Sequence, residues 1–223
     1  MKRVIQIKVC GLTEAKTAAA CAALKIEAVG LVFYPKSPRY LSDAQAEEIT
    51  AAVNRRAAVV GVFVDEPADV ILQKAQRCGL TGVQLHGRET PAEVTQLKST
   101  GLTVIKALFQ KREPSFQSIS RYDPSAFLLE CGRGRLPGGT ARAWDWADAK
   151  AIAANAPVIL AGGLTPVNVG QAVRLGRPYA VDVSSGVETS PGKKDLAKIE
   201  AFVSAVAGIV PTPGDEKARR IFK

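Results

Sequence analysis

The sequence contains few of the residues that build metal centres and disulfide frameworks. Its 223 residues include one histidine, His86, and four cysteines, Cys10, Cys21, Cys78 and Cys131. None of the cysteines forms a C-x-x-C pair, and none has metal-ligand spacing with the histidine. We therefore expect no metal site and no disulfide framework. This cysteine usage is typical of a reducing compartment, so the sequence predicts a cytoplasmic protein.

Long apolar runs are also missing. No stretch approaches the roughly 20 apolar residues that a membrane-spanning helix needs. The basic and apolar start, MKRVIQIKVC, is interrupted at Lys8 and Gly11, and no small-residue cleavage site follows. We therefore do not interpret it as a signal peptide, and we expect no membrane partner.

Acidic residues are fewer than basic ones, with 21 Asp and Glu against 30 Lys and Arg and a net charge of +9. Such a balance can attract nucleic acid, an acidic membrane or a small anionic substrate. The densest basic groups are Arg133, Arg135 and Arg142 and, at the end of the chain, residues 217–223. Neither group is interleaved with aromatic residues as in a nucleic-acid platform. We expect no nucleic-acid partner and a mild attraction for phosphorylated small molecules.

Short β-branched runs alternate with longer amphipathic stretches along the whole chain. The runs start roughly 20–30 residues apart, which is the length of one strand-plus-helix unit. Several, such as AVVGVFV and PVILA, are apolar almost throughout, as in parallel strands buried on both faces. We therefore predict an α/β fold, a single-domain (β/α)8 TIM barrel over residues 1–207 with a C-terminal tail over residues 208–223. The eight predicted strands are Val4–Cys10, Ala28–Phe33, Ala58–Val64, Gly82–Leu85, Thr103–Ala107, Ala126–Glu130, Pro157–Ala161 and Tyr179–Ser184.

An open, doubly wound sheet is the structural alternative. Such a sheet usually carries a glycine-rich G-x-G-x-x-G turn after its first strand. The turn after the first run reads VCGLTEAK and lacks that pattern, which favours the barrel.

The connecting stretches carry signals of helix starts. Ser42 and Gln45 have the spacing of a capping box. Prolines follow Glu66, Thr90 and Thr165, and proline is favoured in a first helical turn. Further caps are expected at Thr13, Asp145 and Asp195.

Polar residues stand at the ends of nearly all predicted strands, where a barrel of this kind places its active site. Buried polar groups need partners, so this pattern would be costly in a purely structural barrel. Strand alternation places Lys8 on the same face as Cys10, where its ammonium would favour a thiolate. Cys10 is thus either a small core residue or a reactive thiol. The other candidates in this group are Arg39, Gln84, His86, Glu130 and Asp182.

Three of these candidates, Glu130, His86 and Arg39, have both a structural and a functional interpretation. Glu130 ends the apolar run AFLLE and is either a surface residue or an acid directed into a pocket. His86 is structural, contacts a ligand, orients a neighbour or transfers protons. Arg39 is either a solvated loop residue or a fork for a carboxylate or phosphate.

Two glycine-containing turns are candidate phosphate sites. Gly162 and Gly163 follow the seventh run and lead into a predicted helix near Thr165, where backbone N–H groups can approach an anion. A second turn after the eighth run contains Ser184, Ser185 and Gly186. Phosphate binding by the loops after strands 7 and 8 recurs in barrels of this kind.

Over almost its whole length the sequence resembles the phosphoribosylanthranilate isomerase family. Only the residues after about Gly208 fall outside the resemblance. The matching segments occur in the family's order and are 8–13 (KVCGLT), 37–39 (SPR), 60–63 (VGVF), 83–87 (VQLHG), 138–140 (GGT) with 145–146 (DW), 161–164 (AGGL) and 182–188 (DVSSGVE).

The resemblance implies a cofactor-independent Amadori rearrangement of N-(5-phosphoribosyl)anthranilate in tryptophan biosynthesis. It implies that Cys10 is the general base and Glu130 the general acid, and that Arg39 holds the anthranilate carboxylate. Lys8, Gln84, His86 and Asp182 would contact substrate. The turns after strands 7 and 8 would hold the phosphate. We expect a monomer or a homodimer.

The sequence departs from the family pattern at three positions. Glu130 stands where the family usually has aspartate, which moves the carboxyl by roughly one C–C bond. Ala141 replaces the last glycine of Gly-Gly-Thr-Gly, and Trp144 replaces a phenylalanine. A backbone adjustment within residues 131–139 could compensate for the longer Glu130.

Two alternatives stay open. The related isomerase of histidine biosynthesis uses two aspartates, one of them at the end of strand 1, where this chain has Cys10. The other alternative is a barrel that binds a phosphorylated ligand without catalysis, and the unusual Glu130 is the feature that favours it.

Overall fold

The computed structural model describes residues 5–132, 144–209 and 220–222 and contains a closed barrel of eight parallel strands. Each strand pairs with the next, and β1 pairs with β8 to close the barrel. All eight predicted strands are confirmed, with ends shifted by at most two residues. They are β1 (Gln6–Cys10), β2 (Ala28–Val32), β3 (Ala58–Phe63), β4 (Gly82–Leu85), β5 (Thr103–Phe109), β6 (Ala126–Glu130), β7 (Val158–Leu160) and β8 (Ala180–Val183).

Side-chain alternation along the strands creates two apolar layers. Outward residues such as Val29 and Leu31 pack against the helices in the larger hydrophobic cluster. Inward residues such as Ala28, Val60 and Ile105 fill the barrel interior. Strands buried on both faces therefore read as nearly continuous apolar runs, which is the pattern in the sequence.

Helices cover the outside of the barrel, and a 3₁₀ helix over Phe116–Arg121 forms the fifth connection. The expectation of an α-helix there was wrong. Pro114 and Pro124 bracket a short stretch that contains three serines, and neither proline nor serine favours a helix interior. The α-helices are α1 (Ala15–Ala23), α2 (Asp43–Val53), α3 (Ala68–Arg77), α4 (Pro91–Ser99), α5 (Ala149–Ala153), α6 (Val169–Gly176) and α7 (Leu196–Ala207).

Most of the predicted helix caps are confirmed. Ser42 and Gln45 form a capping box at α2, and Thr90 forms another at α4. Asp145 accepts a hydrogen bond from Ala147 N at a short 3₁₀ helix before α5. Asp195 caps α7 by accepting from Lys198 N, and α3 starts directly after Pro67.

Two predicted helix starts were wrong. The Thr13 hydroxyl does not cap α1 but donates to the carbonyl of Gly192, 2.8 Å away. The sequence signal at Thr165 precedes the true start of α6 by four residues. There Asn168 accepts from Thr165 N and donates to the Gly163 carbonyl, so it orders a turn before the helix begins.

The end of the chain closes the lower, amino-terminal end of the barrel. Ile221 and Phe222 are buried against its interior residues. The Gln6 side chain accepts from Ile221 N at 2.7 Å and from Phe222 N at 3.2 Å, and it donates to the Phe222 carbonyl at 2.8 Å. Because residues 210–219 lie outside the described part, the division at residue 207/208 stays a prediction. No described helix is both long and apolar enough to cross a membrane.

Candidate active site

One pocket opens among the carboxyl ends of the barrel strands. Its apolar wall includes Val32, Val62 and Leu164. Every predicted site residue except Lys8 lines this pocket: Cys10, Arg39, Gln84, His86, Glu130, Asp182, Gly162, Gly163, Ser184, Ser185 and Gly186.

Cys10 is the last residue of β1, and its thiol fits beside a glycine of the next strand. Cys10 pairs in register with Gly30 on β2. A Cβ atom at Gly30 would lie 2.7 Å from the thiol sulfur, which is closer than real contacts allow. Glycine at this position therefore provides the space that the thiol occupies at the pocket wall.

Lys8 lies beneath the pocket and pairs with Asp182. The two residues are in register on β1 and β8, and Lys8 Nζ lies 2.9 Å from Asp182 Oδ1. The Lys8 side chain has no exposed surface. Lys8 does not line the pocket, and a direct contact between Lys8 and substrate stays a prediction. Its neighbours in the structure are Asp182 and Cys10.

The protonation of Cys10 reflects opposing influences. Burial, the largest of them, raises the pKa of the thiol above its ordinary value of 9.0. Lys8 lowers this pKa, Asp182 raises it, and Lys194 lowers it again. The sequence-based expectation was right about the direction of the Lys8 effect, but burial outweighs it. The resting group is therefore mainly the neutral thiol near neutral pH.

Gln84, His86 and Glu130 form a row at the ends of β4 and β6. Gln84 Nε2 lies 3.0 Å from His86 Nδ1, and an amide nitrogen can only donate, so Nδ1 accepts. A neutral His86 then carries its proton on Nε2. That atom is buried without a hydrogen bond in the described part of the chain, and Glu130 Oε1 lies 3.5 Å away. The carboxyl of Glu130 is thus directed into the pocket rather than to the surface.

Arg39 reaches the pocket mouth as half of a buried bidentate ion pair. Its Nε and Nη2 atoms donate to the two carboxylate oxygens of Glu188 at 2.8 and 2.7 Å. Lys194 donates to the same carboxylate at 2.7 Å. In the described residues these are the two hydrogen bonds that the Arg39 side chain donates, so three of its five N–H groups remain for a ligand.

Glu188 and Lys194 are site residues that sequence reasoning missed. They belong to a two-stranded hairpin, β9 (Glu188–Ser190) and β10 (Lys193–Lys194), which follows the eighth strand. A signal was present, because opposite charges six residues apart flank the turn sequence SPG. Such a turn predicts a hairpin that brings the two charges together.

The two predicted phosphate loops pack directly against each other. Gly162 and Gly163 have φ angles of +84° and +71°, which glycine adopts freely. A Cβ atom at Gly186 would overlap the carbonyl oxygen of Leu164. The Trp144 indole N–H donates to the Ala161 carbonyl at 2.9 Å, a bond that phenylalanine could not make. The Gly138–Ala141 segment lies outside the described residues.

Lys106, on β5, points away from the pocket. Its ammonium lies 2.6 Å from Glu89 Oε2 and 2.8 Å from the Gly87 carbonyl, and it is fully buried. Glu89 also accepts from the backbone N–H groups of Gly87 and Asp65. This pair fixes the loops after β3 and β4. Among residues 5–132, 144–209 and 220–222, no group of three potential ligands could hold a metal ion.

Comparisons with known proteins agree with this geometry. The family model described as N-(5'phosphoribosyl)anthranilate (PRA) isomerase matches residues 7–205. The N-(5'-phosphoribosyl)anthranilate isomerase of Desulfatibacillum aliphaticivorans is 46% identical over 98% of this chain and 99% of its own length. That of Rubrobacter xylanophilus is 42% identical over 90% and 98%.

Solved structures give the same relationship. The crystal structure of phosphoribosyl anthranilate isomerase from Thermotoga maritima superposes with a TM-score of 0.83 at 34% identity, covering 92% of this chain and 100% of that one. A second structure, in complex with reduced 1-(o-carboxyphenylamino)-1-deoxyribulose 5-phosphate, matches with a TM-score of 0.80 at 34% identity over the same shares. This chain belongs to the N-(5'-phosphoribosyl)anthranilate isomerase family.

Proposed function

We propose that this protein catalyses the Amadori rearrangement of N-(5'-phosphoribosyl)anthranilate to 1-(o-carboxyphenylamino)-1-deoxyribulose 5-phosphate in tryptophan biosynthesis, without a cofactor. The observation that carries the proposal is that Cys10 and Glu130, from β1 and β6, line one pocket with both glycine-containing loops. A thiol and a carboxyl in one cavity supply the base and the acid that this isomerisation needs.

The loops after β7 and β8 are proposed to hold the substrate phosphate. Gly162, Gly163 and Gly186 allow backbone N–H groups to approach an anion, and Ser184 and Ser185 add hydroxyl donors. The predicted α-helix dipole contributes less than expected, because α6 starts only at Val169. Arg39 is proposed to bind the anthranilate carboxylate through the N–H groups that Glu188 leaves unused.

Glu130 is proposed to act first, as the general acid. Its carboxyl protonates the furanose ring oxygen, the bond between that oxygen and C1 breaks, and a protonated Schiff base remains. The Nε2–H of His86 faces the carboxylate that this step leaves and can stabilise it by donating a hydrogen bond. Gln84 favours the tautomer of His86 that carries its proton on Nε2. Gln84 and His86 are proposed to contact the substrate rather than to transfer protons.

Cys10 is proposed to act second, as the general base. Its thiolate removes the proton from C2 of the open sugar, and the electron pair of the C–H bond forms the enolamine double bond and neutralises the Schiff base. The enolamine then gains a proton at C1 and loses its hydroxyl proton, which yields the ketone. The ion pair between Lys8 and Asp182 lies next to this thiol.

The proposal also covers the ligand class, the cellular location and the oligomeric state. The ligand is a phosphorylated small molecule, and we propose no nucleic-acid partner. All four cysteines are free thiols, which favours a cytoplasmic location. Both a monomer and a homodimer are compatible with the fold, and the Thermotoga maritima relative is described as dimeric.

The direct test is to follow the fluorescence of phosphoribosylanthranilate with purified protein and to identify the product by mass and chromatography. We expect fluorescence loss with formation of an isomer of unchanged mass. Binding of the substrate without any turnover would instead favour the non-catalytic barrel. Turnover of only the histidine-pathway substrate would reject the assignment.

A further inference from the structure

A buried cation from outside the barrel lies next to the Cys10 loop. The side chain of Lys194, on β10, is 1% exposed. Its ammonium pairs with Glu188 at 2.7 Å and donates to the Ser184 carbonyl at 3.1 Å. A buried lysine needs such partners, because an isolated ammonium is costly to desolvate. Burial lowers the pKa of Lys194, whereas Glu188 and Cys10 raise it.

A short chain of hydrogen bonds joins this ammonium to the backbone of Cys10. Lys194 Nζ lies 3.3 Å from the Ser184 hydroxyl, which in turn donates to the Cys10 carbonyl at 3.0 Å. The hairpin that carries Lys194 is itself attached to the barrel, since Thr13 donates to the Gly192 carbonyl. Lys194 is therefore held at a fixed place relative to the thiol.

Lys194 adds positive charge to the surroundings of Cys10. Lys8 on β1 and Asp182 on β8 neutralise each other. Glu188 is shared by two cations, Arg39 and Lys194, which leaves one positive charge in excess. The β2 and β3 residues that pack against the thiol are uncharged, as with Val32 and Val62. This excess positive charge favours a thiolate at Cys10.

We propose that Lys194 is a positioning residue of the isomerase, which stabilises the thiolate of Cys10 and fixes the loop that carries it. This inference rests on the proposed role of Cys10 as the base. The ammonium acts through space and through Ser184 and need not touch the substrate. Lys8 also lowers the pKa of the thiol, but its partner Asp182 raises that pKa, and Lys194 lowers it in addition.

The test measures the thiol itself, so it does not depend on isomerase activity. The rate of Cys10 alkylation by iodoacetamide is followed against pH by peptide mass spectrometry, which separates Cys10 from the other three cysteines. We expect Lys194→Gln to shift the alkylation midpoint upward by about one pH unit or more, as for loss of a nearby opposite charge. Lys194→Arg should restore it.

Lys198→Gln is the matched control. Lys198 donates to the Glu188 backbone carbonyl at 2.8 Å, but its side chain is 47% exposed and outside the Ser184 chain. This variant should keep the wild-type midpoint. An unchanged midpoint in folded Lys194→Gln would overturn the proposal. A shift in that midpoint in a protein without isomerase activity would instead support the electrostatic role and reject the proposed reaction.

A second measurement covers the case in which Lys194→Gln does not fold. The ¹⁵N chemical shift of Lys194 Nζ is followed against pH in the wild type and in Cys10→Ser. We expect an inflection at the pH where Cys10 ionises, and its loss in Cys10→Ser. A wild-type ¹⁵N shift of Lys194 Nζ without an inflection at the pH where Cys10 ionises would also overturn the proposal.

Discussion

His86 Nε2 lies 3.5 Å from Glu130 Oε1, and both side chains are buried at the pocket wall. The longer side chain of glutamate, in place of the family's usual aspartate, thus still directs its carboxyl into the cavity. β6 ends at Glu130, and the Glu130 side chain lies beside His86. Substitution of Glu130 therefore tests which residue is the general acid.

We predict that Glu130→Gln lowers kcat by about 10²–10⁴-fold, the usual contribution of a general acid. Glu130→Asp should retain activity, because it keeps an ionisable carboxyl at the same strand end. Steady-state kinetics measure both. Asp123→Asn is the control, since that carboxylate is 88% exposed and pairs with Lys98 far from the site. A normal kcat in Glu130→Gln would place the acid elsewhere.

The raised pKa of Cys10 predicts an unusual pH profile. Burial disfavours the thiolate, and the group has an ordinary pKa of 9.0, so the active base is a minor species near pH 7. The rate of Cys10 alkylation by iodoacetamide should therefore rise with pH, about tenfold per unit where the thiol is mainly protonated. The ascending limb should continue past pH 9. A plateau reached by pH 7 would contradict this assignment of the thiol.

Much of the barrel could be predicted from the sequence, because the residues of both core layers form short apolar runs that are visible in a local window. Apolar runs at regular spacing gave eight strands, and strand alternation correctly placed Lys8 and Cys10 on one face. The glycine pair after β7 and the Ser-Ser-Gly turn after β8 correctly predicted the pocket lining.

The features that sequence reasoning missed depend on contacts between distant segments. The Lys8 side chain pairs with Asp182, which lies 174 residues away in the sequence, and does not line the pocket. Arg39 meets Glu188 across 149 residues, so neither partner is visible in a local window. The true environment of Cys10 likewise depends on the hairpin containing Lys194. Burial decides the net pKa of the thiol, and burial follows only from the packed barrel.

The close contact of the two proposed phosphate loops can be tested at one glycine. A Cβ atom at Gly186 would overlap the Leu164 carbonyl, so Gly186→Ala must move the loops apart. Because a misplacement of about 1 Å can cost 100-fold in catalysis, we expect kcat/KM to fall about 10–100-fold. Inhibition by inorganic phosphate should weaken in parallel. Gly208→Ala, which meets atoms no closer than 3.5 Å, should have no effect on either value.

The end of the chain is predicted to stabilise the barrel without affecting catalysis. Removing residues 221–223 exposes the lower core and leaves the Gln6 side chain without its backbone partners. Burying an Ile or Phe side chain contributes about 1.5–3 kcal/mol, so the loss of both should lower the free energy of unfolding in urea by about 3–6 kcal/mol. The kcat should change little, because the pocket lies at the opposite end. Val167→Ala, at a 95% exposed position, is the control. Unchanged stability after truncation would refute the role of the tail.

In the proposed mechanism, the Cys10 thiolate removes the C2 proton from a substrate that other residues hold in place. The most direct measurement compares Cys10→Ser with the wild type in turnover of phosphoribosylanthranilate and in binding of the reduced product analogue. We predict a loss of kcat of about 10²–10⁴-fold or more, with the Kd for the analogue changed less than about threefold. Turnover by Cys10→Ser at nearly the wild-type rate would exclude the thiol as the base.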